Sequence, residues 1–264
     1  MIKPLDKATI RNRAENKLKE YGLCALPVDL FSIVEREDII LYPKNDSTDG
    51  VSGMLVRVGD DYCIVYSTYY HNSGFERFSI AHELGHYFLD DHPRINTDGL
   101  HKSNAGFISK DYYEQEADIF ASGLLMPEDL FRDYQGNYPI GLDGIIGMAD
   151  LCQTSLTATA IRYVELASKP LIVVLSSNGI INFCVVSEKI RFMKNKEIPQ
   201  KGWKVPGNTA TANLAQNKED VLNRKRDSKD ADLSDWIESE RPKDALEEVI
   251  GLGRYEKILT VISV

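Results

Sequence analysis

The sequence predicts an α+β protein, with a mostly helical first part enclosing a small sheet and a smaller strand-rich α/β region behind it. Three observations predict this. Helical periodicity recurs at 6–21, 75–89, 110–125 and 141–167, with a hairpin pattern among these helices at 53–66. At Lys169-Pro170 the texture changes from helical to strand-like, so a boundary near 168 divides the chain into regions 1–168 and 169–264. The composition, 43% hydrophobic and 27% charged over 264 residues, is that of a globular chain long enough to bury a core without disulfides.

Each element has a local reason. Asp6 can cap a helix whose face carries Ile10, Ala14, Leu18 and Tyr21, and Gly22 is placed to end it. A short helix after Pro27 would turn Leu30, Ile33 and Val34 inward, and Ile39–Tyr42 reads as a strand. Gly53–Val58 and Tyr62–Tyr66 read as paired strands, with Gly59-Asp60-Asp61 as the turn. Helices over 75–89 and 110–125 follow, the second ending at Met126-Pro127, and the polar stretch 90–109 between them reads as a loop crossing a site. From 141 to 167 the pattern is helix, break at Thr154-Ser155, helix, a helix-turn-helix shape. Leu171–Leu175 and Ile180–Val186 form a second hairpin around Ser176-Ser177-Asn178-Gly179, residues 207–235 read as polar loop, and 257–264 is a closing strand.

Charge and cysteines exclude several classes. With 31 Lys+Arg against 40 Asp+Glu, the net charge of −9 disfavours general binding to nucleic acid or anionic membranes. The second helix of the 141–167 pair carries one cation, Arg162, so packing is its expected role and direct DNA contact is not. Cys24, Cys63, Cys152 and Cys184 form no C-x-x-C pair and are expected to be buried thiols in a reducing cytoplasm. The N-terminus shows no secretory h-region and no apolar run is long enough to span a bilayer, so a cytoplasmic location is expected.

The chemistry concentrates in Ala81-His82-Glu83-Leu84-Gly85-His86. On a helix, positions i and i+4 lie about 40° apart, so His82 and His86 project side by side and can grip one ion. Glu83 points to one side, where its carboxylate can reach a water on that ion. Two neutral imidazoles and one carboxylate leave a catalytic zinc with an open position, so a third protein ligand is needed. His92 occupies the last position of H-E-x-x-H-x-x-G-x-x-H, but Leu89 stands where that pattern needs glycine. A continuing helix turns His92 about 240° from His86. The next helix offers Glu114 and Glu116 on opposite borders of its buried face, and periodicity alone does not choose between them.

Arg77-Phe78-Ser79-Ile80-Ala81-His82-Glu83-Leu84-Gly85-His86-Tyr87-Phe88-Leu89, with Glu114-Gln115-Glu116-Ala117-Asp118-Ile119-Phe120-Ala121 and Leu124-Leu125-Met126-Pro127, resembles the ImmA/IrrE family of metallopeptidases. The resemblance covers roughly residues 8–167 and implies a zincin-like domain. It implies Glu116 as the third zinc ligand beside His82 and His86, Glu83 as general base on a zinc-bound water, and Asp118 as a residue orienting a ligand. It further implies an endopeptidase acting on a protein, typically a helix-turn-helix transcriptional repressor or an antitoxin in phage, mobile-element or stress systems. Residues 169–264 resemble a tail of some members and would recognise substrate or sense a signal. The open edge of the 54–66 hairpin is expected to hold substrate as an added strand. The competing reading is a metal-containing regulator that sequesters its repressor without cutting it, and the intact Glu83 argues against that, since a pure binder needs no base.

Overall fold

Helix α1 (Lys7–Tyr21) begins where Asp6 accepts the Thr9 N–H and ends where Gly22, in the left-handed region, returns its own N–H to Leu18 and Lys19. The computed structural model describes residues 5–45, 51–89, 100–104, 111–193, 197–237 and 243–264, and shows ten helices and nine strands in an α+β arrangement of two sheets. No helix among these residues is long and apolar enough to cross a membrane. Two compact units are present: Met1–Tyr134 with Met148–Ala158, and Gln135–Gly147 with Thr159–Val264.

In the first unit, α2 (Leu30–Arg36) buries Leu30, Ile33 and Val34 as their spacing predicts. Strands β1 (Ile39–Lys44), β2 (Val51–Val58), β3 (Asp61–Ser67) and β4 (Leu100–Asn104) form a sheet in the order β1-β3-β2-β4, with β1 parallel to β3 and the other pairs antiparallel. Leu55 and Ile64 are register partners, both buried. Strand β4 lies inside the stretch read as loop. Leu100-His101-Lys102-Ser103-Asn104 shows no apolar alternation, and its pairing is a backbone property that hydrophobic pattern does not reveal. Both edges of the β2–β3 hairpin are therefore occupied, by β4 and β1, and the open hairpin edge expected for a substrate strand does not exist.

Helices α3 (Ser73–Phe88) and α4 (Tyr112–Leu125) pack on each other, and α3 also packs on β2 and β3. The α3–α4 approach is close because residue 85 is glycine: a Cβ there would stand 3.0 Å from Ala117 Cα. Helix α1 lies along α4 in the same way, with Gly123 against Arg11 and Ala14. Short α5 (Glu128–Gln135) buries Phe131. Helices α6 (Leu142–Cys152) and α7 (Leu156–Leu166) match the expected pair, and the turn between them is clamped to α3. Arg77 donates to Gln153 O at 3.1 Å, and Gly74 sits against the Thr154 and Ser155 backbone.

The second unit is built on an antiparallel sheet of β5 (Leu171–Ser177), β6 (Ile180–Val186), β7 (Arg226–Asp232), β8 (Asp244–Gly251) and β9 (Ile258–Ser263), in the order β6-β5-β9-β8-β7. Asn178 and Gly179, both at positive φ, close the β5–β6 hairpin. Ile172, Val174 and Ile262 pack under Leu233, Trp236 and Ile237, while Val249 and Ile258 pack under Ala210, Leu214 and Val221. Val173, Leu175, Leu259 and Val261 on the opposite face are buried too, which explains the unbroken apolar runs of β5 and β9. Residues 207–235, expected as loop, instead hold α9 (Ala210–Ala215), α10 (Lys218–Leu222) and β7, after a single-turn α8 (Glu188–Arg191). These helices span less than two turns, and the edge strand β7 reads Arg-Asp-Ser-Lys-Asp-Ala-Asp, so neither carries a period.

Glu247 of β8 holds this region from inside. Its fully buried carboxylate accepts the N–H groups of Ala210 and Thr211 and the Thr211 hydroxyl, which in turn meets Thr260. Beside it in sequence, Glu248 accepts the Leu142 N–H at the start of α6. The cysteines depart from expectation in one respect: Cys152 is buried, but Cys24 is exposed and Cys63 and Cys184 are half-buried. Burial pushes the Cys152 and Cys184 thiols up to about 12.

Candidate metal centre

Asn72 starts α3 by accepting the Phe75 N–H, and the apolar Ile80, Ala81 and Leu84 bury the helix in the first unit. That burial carries His82, Glu83 and Gly85 inside with them. His82 and His86, one turn apart, bring their Nε2 atoms to 3.1 Å. From α4, started by Asp111 accepting the Tyr113 N–H, the Glu114 carboxylate reaches both rings, Oε2 at 3.3 Å from His82 Nε2 and Oε1 at 3.3 Å from His86 Nε2. One donor atom from each of the three lies within 4.8 Å of the others.

Asp118 lies one helical turn beyond Glu114, on the same face of α4, and its Oδ1 stands 2.9 Å from His82 Nδ1. A carboxylate there accepts the Nδ1 proton, which leaves Nε2 as the ring nitrogen that faces His86 and Glu114. Burial by itself would lower the His82 pKa. The hydrogen bonds to Asp118 and Glu114 outweigh it and push the ring up to about 10. Two imidazole nitrogens and a carboxylate converging within van der Waals reach form a nitrogen-and-oxygen donor set of the kind that suits zinc.

Glu116, implied as the third ligand, is placed differently. It is buried, and its Oε1 accepts the Leu5 N–H at 2.7 Å. The reason is helical: residue 116 is about 200° around the axis from 114, so the face that turns Glu114 and Asp118 to the histidines turns Glu116 toward the start of the chain. The signal that separates the two glutamates is present in the sequence. Asp118 is four residues from Glu114 and two from Glu116, so an acid that orients a histidine shares its face with Glu114. His92 lies outside the described residues.

Glu83 is fully buried beneath β2, where a Cβ at Gly53 would meet its Oε1 at 2.6 Å. Beyond the histidines, Tyr87 and Tyr21 both donate to Glu37, Tyr87 at 2.8 Å, which ties the last turn of α3 to α1 and α2. Burial and the Glu37 bond push the Tyr87 hydroxyl up to about 12.

Comparison with known proteins gives a family and a fold for the chain. Residues 36–147 match the family model of the IrrE N-terminal-like domain, a peptidase family. Metallopeptidase ImmA of Bacillus subtilis (strain 168) is 30% identical over 126 residues, covering 47% of this chain and 67% of that protein. A solved structure titled as a Mycobacterium tuberculosis transcriptional regulator superposes with a TM-score of 0.56 over 97% of this chain and 76% of that one, at 13% identity, a likeness of fold.

Proposed function

The chain belongs to the ImmA/IrrE family of metallopeptidases, and from that premise we propose that it is a zinc-dependent endopeptidase acting on a protein substrate. The observation that carries this reading is the convergence of His82, His86 and Glu114 beside the buried carboxylate of Glu83. His82, His86 and Glu114 would hold the ion, with Asp118 fixing the His82 ring. When bound, zinc supplies Lewis acidity, polarising the scissile carbonyl and making water acidic.

The remaining work falls to the chain. Glu83, adjacent to a metal-binding histidine without being one of the three donors, takes a proton from the attacking water and returns it to the leaving amine. Its burial keeps that carboxylate out of bulk solvent, where a proton held between two transfers would be lost. The substrate we propose is a helix-turn-helix transcriptional repressor, as the family relationship implies, with residues 169–264 recognising substrate or sensing a signal. A cytoplasmic location accords with that partner.

The test is cleavage of the repressor encoded nearest its gene by zinc-loaded wild type and by Glu83→Gln. Glu83→Gln keeps its zinc and loses cleavage by at least about 10²-fold, the low end of a general-base contribution. Equal relief of repression by both proteins, with the repressor left whole, would mean sequestration and defeat the peptidase reading.

A further inference from the structure

We propose that Gly53 is a positioning residue that seats the Glu83 carboxylate. The proposal rests on the reading of Glu83 as proton acceptor.

Glycine in a strand interior is unfavourable unless the backbone or a neighbour requires it. The backbone does not require it here, because Gly53 is absent from the residues at positive φ. A neighbour does. A Cβ at 53 would lie 2.6 Å from Glu83 Oε1, 3.2 Å from Cγ and 3.3 Å from Cδ, so the carboxylate occupies the space that any other residue would fill. The ladder between β2 and β4 is bulged between Val51 and Gly53, a local irregularity of the kind that re-aims a strand beside a site.

The identity of the obstructing atoms decides what a substitution would disturb. At Gly74 an added methyl meets the backbone of Thr154 and Ser155 at 2.5–2.8 Å, and at Gly85 it meets Ala117 Cα and O, so those glycines serve the packing of main chains. At Gly53 the three nearest atoms all belong to the Glu83 side chain. Strand β2 cannot back away easily, because β3 and β4 pair with it on either side. The carboxylate is the part that yields, and since Glu83 is fully buried, yielding changes its placement relative to His82 and His86.

The experiment uses zinc-loaded full-length wild type, Gly53→Ala, Glu83→Gln and the double variant, with zinc content and acetohydroxamate affinity as readouts. A hydroxamic acid chelates the metal and shares its hydroxyl proton with a carboxylate alongside, so it reports carboxylate placement without a substrate. We expect all four proteins to hold about one zinc, and Gly53→Ala and Glu83→Gln each to weaken acetohydroxamate about tenfold or more. The double variant should fall within about twofold of Glu83→Gln, since the two changes act through one carboxylate. Wild-type affinity in Gly53→Ala, with Glu83→Gln weakened, overturns the seat and leaves the Glu83 reading standing. Wild-type affinity in Glu83→Gln overturns the Glu83 reading and the seat with it. Equal losses in both backgrounds overturn the seat alone. If Gly53→Ala does not fold, Gly53→Ala/Glu83→Ala decides: recovery of folding supports the seat, and failure to recover overturns it.

Discussion

Asp118 Oδ1 and His82 Nδ1 stand 2.9 Å apart, and that contact leaves Nε2 as the ring nitrogen that faces His86 and Glu114. A partner of this kind fixes both tautomer and ring orientation. Asp118→Ala is therefore expected to weaken zinc binding by about 10–100-fold while leaving the helical content intact, as read by chelator competition and circular dichroism. Unaltered affinity would mean that the contact orients nothing.

Glu114 and Glu116 give opposite outcomes. Glu114→Ala removes a donor from the cluster and should cost zinc affinity well beyond the roughly 100-fold upper end for residues that only orient a ligand. Glu116→Ala removes the acceptor of the Leu5 N–H, so it should keep zinc and lose stability, by about 1.5–3 kcal/mol for a hydrogen bond to a charged group. Elemental analysis with urea unfolding of both variants checks this. Zinc lost from Glu116→Ala and kept in Glu114→Ala would reverse the assignment.

The pH dependence follows from His82. In the zinc-free protein its pKa is raised from 6.5 to about 10, because Asp118 and Glu114 outweigh the effect of burial. A raised folded-state pKa stabilises the fold fully below the unfolded value, and the contribution disappears as pH climbs through about 10. Zinc-free protein should accordingly lose thermal stability between about pH 7 and 10. Zinc binding near pH 8 should release about one proton, and affinity should rise about tenfold per pH unit over that interval. Calorimetry in buffers of different ionisation enthalpy measures the proton directly; no release near pH 8 would contradict the raised pKa.

Glu247 in the second unit gathers three donors within a fully buried site. Glu247→Ala strands the Ala210 and Thr211 N–H groups, and the expected loss is about 3–5 kcal/mol, larger than most point substitutions. Urea denaturation gives the value. A loss below about 1 kcal/mol would show that α9 is held mainly by Leu214 and its apolar neighbours.

DNA binding by the α6–α7 pair is not expected. Arg162 is the only Lys or Arg in either helix, and its side chain is fully buried, with Glu165 Oε2 at 3.9 Å. Neither helix offers an exposed cation to phosphate. Shift assays on duplex DNA should show no sub-micromolar binding that weakens steeply with salt, and such binding would overturn the packing role.

Legibility in the sequence followed length and amphipathy. The helices α1, α3, α4, α6 and α7 each present a repeated apolar face over at least 11 residues, and each lies within about two residues of its expected position. The elements that escaped are short or polar: β4 and β7 are edge strands without alternation, and α9 and α10 hold five or six residues. At the site, the two histidines and Glu83 are readable because one helix fixes their spacing. Choosing Glu114 over Glu116 turns on which face of α4 meets α3; Asp118 marks that face once it is taken to orient a histidine, and the Gly85–Ala117 approach helps to fix it. The role of Gly53 is not readable at all without the strand that carries it over Glu83.

The bond from the Leu5 N–H to Glu116 has a practical consequence for handling the protein. The helix that carries Glu114 is stitched, two residues further on, to backbone just ahead of α1, and α1 itself lies along that helix. A deletion through Leu5 removes the stitch, and a bulky fusion joined close to it competes for the same space. Zinc retention is the quantity that will register the difference.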